Sequence, residues 1–373
     1  MRRFCFLIAA GIALFALAAL AQQTSSTGPY KVLKTAKVGG EGGFDYIYAD
    51  ADGRKLYIPR RGNPARVTVF NLDTLEPLGE IPNVSAAGAA VSPKSGHGFA
   101  TSRPIAMWDT KTLMPIKTID VQGGPDGILY DSFNDRIYIL SHSAPNATVI
   151  NAADGAVLGT IDLGGAPEQA ATDGKGRIYV DIEDKGNIAV VDAKTMLVLN
   201  HYDLMGKGAT CAGLALDAKN NILFAACRNP QTMVILSATD GKILETLPIG
   251  QGTDGAGFNP ATMEAFSSHG DGTLTVIKEN SPTSFVVEQT VMTMPGAKTM
   301  TIDSKTGRIF VMAAEYAAPA TPAAAPAPAP PTAGGGPGGA GGPGGPGGRG
   351  GFGRGGGRGA AVPGSFTIVE VGK

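Results

Sequence analysis

Short apolar stretches, separated by clusters of Gly, Asp, Asn and Thr, recur along most of the chain. In GGPDGILYDSFNDRIYIL, GAPEQAATDGKGRIYV and ATCAGLALDAKNNILFAA, a Gly-rich lead-in precedes an apolar strand, a turn that usually carries Asp, and a second strand. Each is followed by a second motif: NATVINAADGAVLGTIDLG, GNIAVVDAKTMLVLNHYDL and QTMVILSATDGKILETLPIG. There β-branched residues flank a turn of Asp, Thr or Gly, which predicts two further strands. The unit therefore has four strands.

Alignment on the first turn residue gives Asp50, Ser92, Asp131, Asp173, Asp217, Asn259 and Asp303, at intervals of 39 to 44 residues. A period of this length marks a propeller or an array of repeats. Seven units are present, but the last ends with its third strand, SFTIVEV, and the chain stops before a fourth. YKVLKTAKV, Tyr30 to Val38, has an outer-strand pattern ahead of the first unit and supplies the missing strand. Pairing the two termini closes the ring and removes an exposed sheet edge. The expected fold is all-β: a seven-bladed β-propeller of four-stranded blades, with residues 22–373 as one domain.

The repeated RIY or KLY strand (Arg136 to Tyr138, Arg177 to Tyr179, Lys55 to Tyr57), the VVDAKT turn at Asp192 to Thr195 and the Gly-rich lead-ins resemble the exported bacterial YVTN-repeat, or YncE-like, propellers. The resemblance covers essentially the whole chain after residue 21. The tetrapeptide itself is replaced by Tyr179, Val180, Asp181 and Ile182, and SPKSGHGFATS in the second unit departs most. Members of this group look like binding modules, and similar propellers serve as lactonases or quinoprotein dehydrogenase subunits. The resemblance thus implies a scaffold binding a small polar ligand or a protein partner, with an enzyme as its alternative.

The two ends of the chain add cellular context. Arg2 and Arg3 precede an apolar run that finishes in Ala19, Leu20 and Ala21, the pattern of a signal peptide cleaved after Ala21. Residues 1–21 are expected to be a leader, and the mature protein to be periplasmic or secreted without stable membrane insertion. Cys5 would leave with the leader, and Cys211 and Cys227 are expected to form a disulfide in an oxidising compartment. Between Ala317 and Gly364 lie 19 of the 54 glycines and 10 of the 26 prolines. This stretch, 317–364, is expected to be a disordered insertion in the last blade, leaving from the face of the channel mouth. Its arginines, Arg349, Arg354 and Arg358, could visit an acidic mouth as a soft lid.

With 31 Lys and Arg against 32 Asp and Glu, the net charge is −1 and no nucleic-acid partner is indicated. Gly250, Gly252 and Gly255 spell GxGxxG, but the following GAGFNPATMEAF reads as strand and turn, without the helix that dinucleotide binding needs. Hydrolase, zinc, nucleotide and calcium signatures are missing, so no cofactor and no metal centre is expected. The repeat itself identifies the candidate chemistry. Five residues before each aligned turn stand Asp45, Ala87, Asp126, Glu168, Ala212, Asp254 and Lys298, a ring facing one mouth of the channel. The ends of the second strands return to that face with Arg60, Arg61, Arg103, His142, Glu183, Arg228 and His269. Two roles fit the carboxylates: ligand contact, or capping of Gly-rich turns by accepting backbone N–H bonds.

Overall fold

The computed structural model describes residues 27–317 and 361–373, so the expected leader, residues 22–26, and residues 318–360 of the expected insertion, with Arg349, Arg354 and Arg358, lie outside the described residues. Seven antiparallel sheets of four strands each succeed one another around a central channel. Six are simple meanders. The seventh has the order Lys31–Lys37, Thr367–Gly372, Ile309–Ala313 and Thr299–Ile302, so both ends of the described chain meet in one blade. Lys31 stands opposite Gly372 and Lys37 opposite Thr367, as the expected closure requires.

Burial follows the radial position of each strand. Second strands such as Lys55–Arg60, Arg136–Ser141 and Arg177–Ile182 are buried from their second residue onward, because each blade is covered on both faces by its neighbours. Outer strands such as Pro77–Pro82 and Val157–Ile161 are mostly exposed. Successive residues serve opposite interfaces: Ile178, Val180 and Ile182 pack with Tyr138 and Leu140 of the third blade, whereas Tyr179 packs with Leu214 and Leu223 of the fifth. A period of two along a strand buried on both faces therefore appears as the apolar run Ile178, Tyr179, Val180 and Ile182, broken only by the buried Asp181.

The turns explain the polar punctuation. All seven aligned residues accept a backbone N–H from two or three residues ahead, at 2.8 Å for Asp50, 3.0 Å for Ser92, 3.4 Å for Asp131, 2.7 Å for Asp173, 2.9 Å for Asp217, 3.0 Å for Asn259 and 3.1 Å for Asp303. The outer hairpins repeat a second device. Asn71, Asp109, Asn151, Asp192 and Ser237 cap their turns, and the fourth residue after each is left-handed: Leu75, Leu113, Gly155, Met196 and Gly241. Leu and Met at that position carry a conformational cost of about 1–2 kcal/mol that glycine avoids. Leu75 is buried in a core cluster, which offsets it.

Within the departing stretch of the second blade, one large side chain accounts for Gly98. Trp108, fully buried, covers Gly98 so closely that a Cβ there would sit 2.2 Å from the indole. Tyr57 of the first blade packs on the same indole, with ring centroids 5.8 Å apart. In the fifth blade Cys211 and Cys227 are opposite partners on neighbouring strands and form the expected disulfide. GxGxxG ends in the strand Thr253–Asn259, a propeller strand and no dinucleotide loop.

Candidate functional site at the channel mouth

Inner strands begin, and second strands end, on the same face. Asp126, Glu168 and Asp254 lie at the starts of inner strands, while Asp45 and Lys298 just precede theirs. Arg61, His142 and Glu183 follow the last residues of second strands, and Arg228 occupies the end of one. Side chains from six blades consequently converge.

Their contacts form two runs of alternating charge, which meet where Glu168 and Glu183 repel each other. Arg61 Nη2 lies 3.4 Å from Asp45 Oδ2 and 3.1 Å from Asp126 Oδ1. His142 Nε2 is 3.7 Å from Asp126 Oδ2 and 2.9 Å from Glu168 Oε2. Farther round, Arg228 binds Glu183 Oε1 at 2.9 Å, reaches Asp254 with its other terminal nitrogen, and donates from Nε to the Thr253 carbonyl at 2.9 Å. Lys298 pairs with the second oxygen of Asp254 and acts electrostatically on Asp45, which joins the second run to the start of the first. The second blade carries Ala87 where others have an acid, and Arg61 spans that gap to reach the third blade. Among the described residues the four ring carboxylates pair with side chains from elsewhere in the ring rather than with backbone N–H groups of Gly-rich turns.

Burial sets the electrostatics. Asp45 is pushed up to about 7, first by desolvation and then by the charge of Asp254, against the pull of Lys298 and Arg61. Asp126 is raised by burial and by Glu168, and Glu183 by the same two causes. His142 is raised to about 9, chiefly by its hydrogen bond to Glu168, and is therefore cationic at neutral pH. Five carboxylates (Asp45, Asp126, Glu168, Glu183 and Asp254) then face four cations (Arg61, His142, Arg228 and Lys298), with Asp45 close to half-protonated. The expected acidic ring is nearly charge-balanced.

Three residues assigned to the rim from sequence do not join this network. Arg103 is exposed beside the gap of the second blade and makes none of the ion pairs. His269 is fully buried, with Nδ1 3.3 Å from the Thr273 carbonyl, and desolvation lowers it to about 4. It is a neutral core histidine. Arg60 is 1% exposed, stacks 3.8 Å above the Phe366 ring and donates to the carbonyls of Gly39 and Glu41 at 3.1 Å each, fastening the segment that leads to Asp45.

Two further groups belong to the mouth. The Tyr46 hydroxyl is buried and has no hydrogen-bond partner among the described residues, and the charges acting on it are Glu168, Asp126, Asp45 and Asp254. Asp181 is fully buried, neither carboxyl oxygen has a partner among the described residues, and burial followed by the charges of Glu168 and Glu183 pushes it far above the usual carboxylate range. A signal for Asp181 was present in the repeat: the equivalent residue two places after Tyr138 is the core Leu140. Gln169 spans the neighbouring blades below, accepting from the N–H groups of Leu214 at 3.0 Å and Ala256 at 3.1 Å while donating to the Ala256 carbonyl. Tyr316 bridges to Ala361, and both pack against the core cluster that contains Phe44, the residue before Asp45.

Solved propellers share this architecture. A chain of a mitotic checkpoint complex matches with a TM-score of 0.65 at 10% identity, over 84% of this chain and 96% of its own. The WD40 repeats of RRP9 match with a TM-score of 0.61 at 10% identity, over 78% of this chain and 91% of theirs. The likeness is one of fold. No protein-family model and no curated protein matches the sequence.

Proposed function

We propose that this protein is an exported propeller scaffold, of the kind the YVTN-type repeats suggest, that binds a small polar ligand at the channel mouth. One observation carries the reading: nine ionisable side chains from six blades meet on one face as a network of paired charges close to charge balance. Such a surface offers donors and acceptors side by side, which suits a polyhydroxylated or zwitterionic molecule better than one of large net charge. The buried Cys211–Cys227 bridge supports export to an oxidising compartment.

A thermal-shift screen of sugars, lactones, organic acids and quinones, followed by titration calorimetry, tests the reading. A neutral polyol or zwitterion should raise the melting temperature, and its affinity should fall at least about tenfold in Arg228→Gln and Asp254→Asn, roughly the loss of one charge-assisted hydrogen bond. Lys175→Ala, in the turn on the opposite face, should change nothing. A ligand whose affinity is the same in both mouth variants would place the binding site elsewhere. A protein segment is the competing occupant; capture of a partner by the wild type but not by these variants would replace the small ligand in this reading.

A further inference from the structure

His142, Asp126 and Glu168 lie on two neighbouring blades, and each offers one ligand atom within 4.8 Å of the others. The Nε2 of His142 is central, 2.9 Å from Glu168 Oε2 and 3.7 Å from Asp126 Oδ2. Four-coordinate zinc sits about 2.0–2.2 Å from nitrogen and carboxylate ligands, which places those ligands roughly 3.4 Å from one another. The observed separations bracket that value, so small side-chain rotations suffice to seat an ion.

Geometry among polar groups would not be enough, because His142 and Glu168 satisfy each other as an ion pair. One buried group is not satisfied. The Tyr46 hydroxyl is sealed from solvent without a hydrogen-bond partner among the described residues, and Glu168 and Asp126 are the leading charges acting on it. Buried polar atoms are nearly always hydrogen-bonded, so an orphan hydroxyl under the charge of these two carboxylates calls for a water or an ion. A water on a cation held by the three side chains would supply Tyr46 with a partner.

We propose that Asp126, His142 and Glu168 form a binding site for one divalent transition-metal ion, with Tyr46 set against a water in its remaining coordination position. One imidazole and two carboxylates suit zinc, manganese or cobalt, whereas calcium prefers six or more oxygens. Arg61, 3.1 Å from Asp126 Oδ1, leaves Oδ2 for the metal and orients the carboxylate as an outer-shell partner. The site stands independently of the polar-ligand reading, since its test uses the metal alone.

Full-length, chelator-treated protein is titrated with Zn²⁺ by calorimetry and with Co²⁺ by visible absorption. The wild type should take up one ion per chain and show the intense visible bands of cobalt in a low-coordinate site. His142→Ala, which gives up the pair with Glu168, should remain folded with a modestly lowered melting temperature and lose metal affinity by on the order of 100-fold, with Glu168→Gln behaving similarly. Tyr46→Phe should weaken binding by about tenfold, as expected for an outer-shell group. His201→Ala, on an outer strand, serves as the control and should bind normally. No uptake by the wild type at millimolar metal, or stoichiometric uptake that survives both His142→Ala and Glu168→Gln, overturns the site. Unchanged affinity in Tyr46→Phe overturns the role given to Tyr46.

Discussion

Replacing Asp45 by Asn should make the protein more stable, and increasingly so as the pH rises. Asp45 lies at the mouth with 24% of its side chain exposed, within 3.4 Å of Arg61, and its folded-state value rises from 3.8 to about 7. Despite the nearby cations, burial and Asp254 make the charged form unfavourable. The folded protein thus holds this proton more tightly than the unfolded chain does. Below the ordinary value both states are protonated and stability is unaffected; between about 4 and about 7 stability falls with rising pH, and above that range the full penalty is present. At about 1.4 kcal/mol per unit, the two units between about pH 5 and about pH 7 correspond to roughly 3 kcal/mol, which the exposed quarter of the side chain reduces to about 2 kcal/mol. Asn has no proton to lose and escapes this slope.

Urea unfolding of chelator-treated wild type and Asp45→Asn at about pH 5 and about pH 8.5 isolates the effect, because titrations elsewhere largely cancel in the difference. Trp108 is the single tryptophan and is fully buried, so its fluorescence reports the transition. The advantage of the variant should grow by about 2 kcal/mol between the two conditions. A constant difference, or a variant that becomes relatively less stable at high pH, would show that Asp45 is held ionised by Arg61 and Lys298 and would refute the reasoning.

Tyr30→Phe should lower stability by about 2 kcal/mol in urea unfolding, since the lost hydroxyl donates to Glu264, a 1% exposed carboxylate whose other oxygen binds Lys373 at 2.9 Å; a loss below about 0.3 kcal/mol would show that this bond does not hold the ring closed. Cys211→Ala combined with Cys227→Ala should cost about 3 kcal/mol through the unfolded chain's regained freedom. Thiol titration of unfolded, non-reduced protein lacking residues 1–21 should find no free cysteine, and two reactive thiols would remove the bridge from the account.

The sequence alone determined the ring. A strand buried on both faces needs an uninterrupted apolar run, and a tight turn needs a side chain that accepts a backbone N–H; both demands are local, so both recur at each unit. Counting back from Asp131 or Asn259 therefore located the starts of inner strands, and with them Asp126 and Asp254. The same regularity paired Tyr30 to Val38 with the last strand and Cys211 with Cys227. Tertiary structure decided which of those addresses interact. Arg61 finds Asp126 by spanning the blade that carries Ala87, Arg103 stays exposed outside the ion pairs, and His269 is buried in neutral form. Asp181 and Tyr46 acquire their character from burial beside Glu168. A repeat specifies where each backbone position lies, but side-chain reach, the dielectric around each charge and the contacts between nonadjacent strands exist only once seven blades have closed on one another.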